Sequence, residues 1–210
     1  MKTEIKICGI TSPEEASYIH YPEVSFMGMV LFVPGSRRNV TLEKAKEIMV
    51  SASEKVKKVA VTVSPDLEQI RQIENAGFDY VQIHGELKEE VLQQITIPII
   101  RAVNMDGSMV TIERSGKISY YLFDAAAPGS GRPFEWDMLS KFQRGNIPWV
   151  LAGGLNEHNV LDAILTVHPQ MVDVSSGVEH DHAGGKDPEK IRNFIQAVEK
   201  ADLMVNKKHG

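Results

Sequence analysis

The sequence predicts one α/β domain, residues 1–210, that closes into a (β/α)8 barrel of the TIM-barrel class. Short apolar segments rich in β-branched residues alternate with segments whose apolar residues recur at helical spacing. This alternation indicates parallel strands joined by helices. About eight such units fit the chain, and eight units in a chain of this size close into a barrel more economically than they form an open sheet.

Each predicted strand is a short apolar run that ends abruptly in glycine, proline or polar residues, as buried parallel strands do on reaching a loop. The predicted strands are residues 5–10, 24–33, 56–63, 80–85, 97–103, 119–124, 147–152 and 171–174. In the last two, the apolar run leads directly into Gly153-Gly154 and into Ser175-Ser176-Gly177.

The predicted helices begin at capping residues and end near glycine or proline. Ser12 and Pro13 open the first helix, and Pro22 stops it. Thr41 caps the second helix, and Asn156 is the expected cap of the helix after the seventh strand. After the first, the predicted helices are residues 42–52, 67–76, 86–95, 107–114, 136–142 and 157–167, then a last helix with the apolar stripe Ile191, Phe194, Ile195 and Val198. A loop is predicted at residues 125–133.

The composition limits the classes of partner and compartment. Lys plus Arg number 23 against 28 Asp plus Glu, a formal net charge of −5, so nucleic acid is not expected as a general partner. One cysteine, Cys8, excludes an intrachain disulfide and suits a reducing compartment. The first residues do not resemble a signal peptide, and no run approaches a membrane span. We therefore expect a cytoplasmic protein that does not act on membranes.

Two loops after neighbouring strands predict an anion site. Gly153 and Gly154 follow the seventh strand, and Ser175, Ser176 and Gly177 follow the eighth. Glycine allows a ligand to approach the main chain closely, and clustered N–H groups favour an anion. In (β/α)8 barrels the phosphate site commonly lies in the loops after the last two strands. Either loop alone could be a tight turn or a cap, but the pair favours a phosphate site.

Reactive side chains stand at other strand ends, where barrel enzymes place their chemistry. Cys8, with its pKa lowered by positive charge nearby, could remove a carbon-bound proton, and Asp124 with a raised pKa could supply one. Arg38 could bind a substrate carboxylate through its guanidinium fork. The alternatives are an inert buried thiol, a carboxylate that caps a helix or loop, and a surface charge.

Three further features carry weaker predictions. His84 is expected to bond a backbone carbonyl at the mouth, and Asp173 could bond ribose hydroxyls or brace a neighbour. His180-Asp181-His182 resembles a metal-ligand cluster. No further ligand set accompanies it, so we predict a solvated loop and no metal.

Six motifs occur in chain order over nearly the whole sequence. They are KICGIT at residues 6–11, FVP with SRR at 32–38, VQIHG at 81–85, Asp124 with GSG at 129–131 and FEW at 134–136, LAGGLN at 151–156, and VDVSSGVE with KD at 172–179 and 186–187. Any one of them is weakly specific, but the ordered set is highly specific. Together they resemble the phosphoribosylanthranilate isomerase family of tryptophan biosynthesis.

The resemblance implies a cofactor-free (β/α)8 isomerase. Its reaction would be the Amadori rearrangement of N-(5'-phosphoribosyl)anthranilate to 1-(2-carboxyphenylamino)-1-deoxyribulose 5-phosphate. The resemblance assigns general base to Cys8, general acid to Asp124 and carboxylate binding to Arg38. Its phosphate loops correspond to Gly153, Gly154, Ser175, Ser176 and Gly177. We also predict Gln82, His84 and Asp173 as further residues of the substrate pocket. The expected partner is this small phosphoribosyl molecule, bound by a monomer or a homodimer.

Other functions remain open at this point. Another phosphosugar barrel is possible, but a ribulose-phosphate epimerase should show metal-ligand His and Asp residues at its strand ends. A two-phosphate aminoaldose isomerase should show a second glycine-rich phosphate loop in the first half of the barrel. A phosphoribosyl-ligand sensor without turnover would need neither Cys8 nor Asp124.

Overall fold

The computed structural model describes residues 2–105, 115–125, 136, 139, 146–181 and 184–208. The predicted helix at 107–114 lies outside the described residues, as does the loop at 125–133 beyond its first residue. Of the predicted helix at 136–142, the structure describes Trp136 and Leu139.

Parallel strands form a closed barrel in which each strand pairs with the next and the last pairs with the first, so the predicted (β/α)8 class is confirmed. The strands are β1 (Glu4–Cys8), β2 (Val24–Val30), β3 (Lys57–Val63), β4 (Tyr80–His84), β5 (Ile99–Met105), β6 (Ile118–Ala125), β7 (Trp149–Leu151) and β8 (Met171–Val174). Apolar runs buried on both faces are what a parallel barrel requires of its strands.

Helices follow most of the strands and cover the outside of the barrel. They are α1 (Pro13–Ser17), α2 (Leu42–Ser51), α3 (Leu67–Ala76), α4 (Glu89–Gln94), α5 (Val160–Val167) and α6 (Pro188–Lys208). The apolar stripe predicted for the last helix is buried in α6. Within the described ranges, no helix is both long and apolar enough to cross a bilayer.

The start of α5 differs from the prediction. Asn159 is its N-cap residue, three positions after the predicted cap, Asn156. The side chain of Asn156 instead accepts a hydrogen bond from the His158 N–H at 2.9 Å, and its own N–H donates to Asn159 Oδ1 at 2.8 Å. Asparagine readily bonds backbone groups two residues away, and this local turn displaces the start of the helix.

The core has two parts. One lies between the outer face of the strands and the helices, and includes Ile5 and Ile7 of β1. The other fills the barrel interior with side chains that include Phe26, Leu122 and Val150. Because successive strand residues face opposite sides, each strand contributes to both parts. The packed interior side chains close the barrel below the site, which lies at the carboxyl ends of the strands.

Helix α3 allows a test of local capping. Asp66 Oδ1 accepts the Gln69 N–H at 2.8 Å, and Gln69 Oε1 accepts the Asp66 N–H at 3.1 Å. Asp66→Ala should lower the free energy of unfolding by about 1 kcal/mol, because an N-terminal N–H of the helix loses its acceptor. Equilibrium urea unfolding measures the change. Asp66→Ser keeps a capping oxygen and should retain most of the stability; equal losses in the two variants would contradict this role.

Candidate active site

A cavity of about 350 Å³ opens at the carboxyl ends of the strands. Nearly every residue that the sequence singled out contributes to its wall. The predicted residues that line it are Cys8, Arg38, Gln82, His84, Asp124, Gly153, Gly154, Asp173, Ser175 and Ser176. Gly177 lies just outside this lining. The barrel therefore gathers residues spread over most of the chain at one place.

Cys8 ends β1 on the strand face that points into the barrel. Burial raises the pKa of its thiol above the ordinary value. Positive charges on Lys6 and Lys186 act in the opposite direction, whereas Asp173 adds to the increase. The sequence analysis noted that nearby positive charge can lower the thiol pKa; the two ammonium groups act in that direction, but the loss of hydration outweighs them.

Asp124 lies near the end of β6, beside Asn104 of β5 in the parallel register. Its side chain is 8% exposed, and it lines the same cavity as Cys8. The two groups that could exchange protons with a ligand therefore face one space from different strands of the barrel. A paired acid and base around one cavity is the arrangement that general acid–base catalysis requires.

A buried ion pair lies beneath Cys8. Lys6 Nζ donates to Asp173 Oδ1 at 3.0 Å, and the Lys6 side chain is fully buried. The two residues face each other where β1 pairs with β8. Of the two roles considered for Asp173, the structure displays the brace, since this carboxylate holds the ammonium of a neighbouring strand.

Arg38 is bound to a buried carboxylate at the mouth. Its Nε donates to Glu179 Oε1 at 2.6 Å, and its Nη2 donates to Glu179 Oε2 at 3.1 Å. Lys186 Nζ also donates to Glu179 Oε1 at 3.0 Å, and Arg37 contacts Oε2. Burial acts to raise the pKa of Glu179, but the bonds from Arg38 and Lys186 outweigh it and hold the pKa below its ordinary value. Three cations around one carboxylate leave an excess of positive charge that favours anionic ligands.

The loop that carries Arg38 has a constrained backbone, and Gly9 leaves space for the arginine side chain. Phe32 adopts a positive φ of 61°, a costly conformation for a bulky side chain, and the following Val33 N–H donates to Asn39 Oδ1 at 2.8 Å. Gly9 makes room for the arginine, because a Cβ there would lie 2.5 Å from Arg38 Cδ. The loop after β2 therefore holds the guanidinium against the wall of the cavity.

The two predicted phosphate loops pack against each other. Gly153 and Gly154 have positive φ values of 81° and 69°, which glycine adopts without strain. Asn159 Nδ2 bonds the Gly154 carbonyl at 2.9 Å and fixes this turn. A Cβ on Gly177 would lie 2.0 Å from the Leu155 carbonyl, so only glycine permits this approach. Gly177 thus brings the loop after β8 against the loop after β7.

The environment of His84 differs from the prediction. Its Nε2 lies 2.8 Å from Gln82 Nε2, so a side-chain amide takes the place of the predicted backbone carbonyl. Burial, with the positive charges of Lys6 and Arg101, lowers the pKa of His84 to about 4. The imidazole is neutral at physiological pH and can accept a hydrogen bond from the Gln82 amide.

The His-Asp-His segment makes ordinary surface contacts where it is described. His180 Nδ1 lies 3.1 Å from Asp187 Oδ2, and Asp181 pairs with Lys190. His182 lies outside the described residues. In the part of the chain that the structure describes, no three His, Cys, Asp or Glu side chains are grouped as a metal would require.

Comparison with known proteins decides between the phosphosugar barrels. The model of the family described as N-(5'phosphoribosyl)anthranilate (PRA) isomerase matches residues 5–197. The chain belongs to this family. An N-(5'-phosphoribosyl)anthranilate isomerase of Streptococcus pneumoniae (strain Hungary19A-6) is 42% identical over 197 residues, which cover 93% of this chain and 96% of the relative. That of Streptococcus mutans is 39% identical over 199 residues, covering 94% of this chain and all of the relative.

Solved structures of the isomerase family have the same fold. Phosphoribosyl anthranilate isomerase from Thermus thermophilus aligns with a TM-score of 0.81 at 29% identity, covering 94% of this chain and 99% of its own. A second family member, in complex with reduced 1-(o-carboxyphenylamino)-1-deoxyribulose 5-phosphate, aligns with a TM-score of 0.75 at 31% identity over 94% of this chain and 99% of its own. The crystal structures therefore support the barrel described above.

Three residues in the site of this isomerase-family member were given no role from the sequence, although each lies in a motif of the family resemblance. Lys6, Glu179 and Lys186 are all buried charged side chains. Lys6 gave one signal, since it interrupts an apolar strand two residues before Cys8. Glu179 and Lys186 lie in loops, where charge is usually solvated, and only the folded structure brings them to Arg38.

The low pKa of His84 predicts a dependence of stability on pH. Its ordinary pKa is 6.5 and its pKa in the folded chain is about 4, so the unfolded chain takes up a proton first as the pH falls. The stabilising contribution is complete above 6.5 and is lost progressively toward about 4. His84→Gln removes this contribution, so the free energy of unfolding of the variant should fall less steeply than that of the unmodified protein as the pH is lowered through this window. Identical slopes for the two proteins, measured by denaturant unfolding at several pH values, would contradict the assignment.

Proposed function

We propose that this chain catalyses the Amadori rearrangement of N-(5'-phosphoribosyl)anthranilate to 1-(2-carboxyphenylamino)-1-deoxyribulose 5-phosphate in tryptophan biosynthesis, with Cys8 as general base and Asp124 as general acid. The main support for this reaction is the match to the isomerase family over residues 5–197. The assignment of roles is supported by the single cavity that Cys8, Asp124, Arg38 and the two glycine-rich loops share.

The first step opens the ribose ring. As the bond between C1' and the ring oxygen breaks, Asp124 donates its proton to that oxygen, and the nitrogen lone pair forms a C1'–N double bond. The product is an open-chain iminium. Asp124 must hold its proton near neutral pH to do this, which requires surroundings that disfavour its anion.

The second step removes the proton from C2'. The thiolate of Cys8 takes it, and the electron pair of the C–H bond forms the C1'–C2' double bond of an enolamine, which tautomerises to the ketone. Burial raises the pKa of the free thiol. The positive iminium of the substrate favours the thiolate beside it, which forms as the thiol releases its proton to solvent, so the ionised base is present at the step that uses it.

Both ends of the substrate are anchored. Arg38 binds the anthranilate carboxylate, and the loops of Gly153, Gly154, Ser175, Ser176 and Gly177 bind the 5'-phosphate. Glu179 holds Arg38 by Nε and Nη2. Among the residues that the structure describes, Nη1 has no hydrogen-bond partner, so it can bind the substrate carboxylate. Fixing C1' and C2' between acid and base in this way can lower the barrier by up to about 7–11 kcal/mol.

The remaining wall residues complete the pocket. Gln82 Oε1 is a buried acceptor without a hydrogen-bond partner among the described residues, and it is suited to a hydroxyl or N–H of the substrate. Neutral His84 lies beside it and avoids a competing charge near Cys8. Asp173 acts mainly through the ammonium of Lys6.

The family match argues against a ribulose-phosphate epimerase or a two-phosphate isomerase, and the shared placement of Cys8 and Asp124 argues against a non-catalytic sensor. We place the protein in the cytoplasm, where a single free cysteine stays reduced. It acts without a cofactor and as a monomer or a homodimer.

The acid and the base can be tested separately. Cys8→Ser and Asp124→Asn should fold normally and lose about two to four orders of magnitude in kcat, the usual contribution of a positioned acid or base. Turnover is followed by the loss of anthranilate-type fluorescence, and folding by circular dichroism. A rate near that of the unmodified protein in either variant would reject the role assigned to that residue.

Arg38 is tested by binding. Arg38→Ala should lower the affinity for a product analogue that carries the benzoate carboxylate by about tenfold to a hundredfold, since a charge-assisted hydrogen bond contributes about 1.5–3 kcal/mol. Binding of ribulose 5-phosphate, which lacks the carboxylate, should change much less. The matched control is Arg37→Ala, whose side chain also contacts Glu179 but is 66% exposed. Unchanged affinity of Arg38→Ala for the analogue, measured by calorimetry, would reject the proposal that Arg38 binds the substrate carboxylate.

A further inference from the structure

Lys6 lies inside the barrel, where charged side chains are seldom found. It is fully buried, and its ammonium is held by the Asp173 carboxylate at 3.0 Å. An ammonium removed from water is costly unless it is paired and hydrogen-bonded. Burial acts to lower the pKa of Lys6, but Asp173 and Cys8 outweigh it and raise the pKa, so the group stays charged. The interior therefore contains a permanent cation.

The same ammonium adjoins the sulfur of Cys8. Lys6 and Cys8 are two residues apart on β1 and face the same side of the strand. The positive charge of the Lys6 ammonium acts to lower the pKa of the Cys8 thiol, and Cys8 in turn acts to raise the pKa of Lys6. Across from them, Gly28 of β2 provides the space, because a Cβ there would lie 2.8 Å from Cys8 Sγ and 3.0 Å from Lys6 Nζ. Three strands thus combine to bring one ammonium against one thiol.

We propose that Lys6 is a positioning residue whose ammonium, held by Asp173, stabilises the thiolate of Cys8 from beneath the cavity. This inference rests on the proposed role of Cys8 as the base. Cys8 lines the cavity and Lys6 does not, so the ammonium acts from behind the sulfur without touching the substrate. When the S–H bond forms and the C2'–H bond breaks, Lys6 keeps its protons.

The charges around Cys8 determine the direction of each effect. The Lys6 ammonium and, from the loop after β8, Lys186 favour the thiolate, whereas Asp173 disfavours it. The titratable groups that share the cavity with the thiol are Arg38, His84, Asp124 and Asp173. Removal of Lys6 and removal of Asp173 should therefore shift the ionisation of the thiol in opposite directions.

The single cysteine makes the test direct. The alkylation rate with iodoacetamide, measured against pH, reports the thiolate fraction of Cys8, since the chain has one cysteine. Lys6→Met should raise the midpoint of this profile by about one to three pH units, the usual effect of an opposite charge at this range. Asp173→Asn should lower the midpoint. If both substitutions only loosened the barrel interior, the alkylation midpoints of the two variants would shift in the same direction.

A matched control replaces a lysine outside the site. Lys117 Nζ bonds the Leu92 carbonyl at 3.1 Å, and Lys117→Met should leave the alkylation midpoint unchanged. In turnover, Lys6→Met should lower kcat with little change in KM, and the rate should recover at higher pH as the thiolate forms.

The outcomes separate this inference from the proposed function. An unchanged midpoint in a folded Lys6→Met protein would overturn the role of Lys6. If that variant does not fold, Asp173→Asn decides: a lower midpoint supports the coupling, and an equal or higher one rejects it. Alkylation needs no substrate, so full turnover by Cys8→Ser would reject the catalytic thiolate without changing the alkylation result.

Discussion

The pairing of β1 with β8 closes the barrel, and the site depends on its register. Ile5 pairs with Val172 and Lys6 with Asp173, so the apolar residues of β1 face the helices while Lys6 and Cys8 face the interior. A slip of one residue would exchange the two faces and put charge into the outer core. The buried ion pair thus forms only in this register, and other registers of β1 are disfavoured because they would bury Lys6 without its partner.

Loops at the mouth are joined by a second set of buried charges. Glu179 and Lys186, from the segment after β8, hold Arg38 from the loop after β2. Glu15 accepts hydrogen bonds from the Lys186 N–H at 3.0 Å and from the Thr11 N–H at 2.6 Å. These bonds connect the loop after β1 to the segment after β8. Each carboxylate therefore links segments far apart in sequence. The cations exceed Glu179 in number, and this suits a substrate with anions at both ends.

Much of this molecule could be predicted from local sequence patterns. The alternation of apolar runs and helical spacing predicted the barrel, because parallel strands buried on both faces leave a strong signal. All of the predicted site residues except Gly177 line one cavity because strand ends meet at one edge of a barrel. Element boundaries were less reliable. The start of α5 depends on a side-chain bond of Asn159, and no periodicity reports such a bond.

Electrostatic properties were harder to predict because they depend on burial. The sequence showed that Cys8 ends a strand, but the sign of its pKa shift depends on the hydration that the thiol loses against the charges that surround it. The partnership of Arg38 with Glu179 joins residues 141 positions apart, so no local pattern could reveal it. Lys6 was visible as a charge within an apolar strand, but its partner on β8 was not.

Burial of Cys8 also bears on how the protein tolerates oxidants. Sulfenic acid formation requires a thiolate that peroxide can reach. Because Cys8 is 8% exposed and the pKa of its thiol is raised, the resting sulfur is mostly protonated and largely shielded. A thiol that is mostly protonated between turnovers reacts slowly with peroxide, which protects the one cysteine of the chain from irreversible damage.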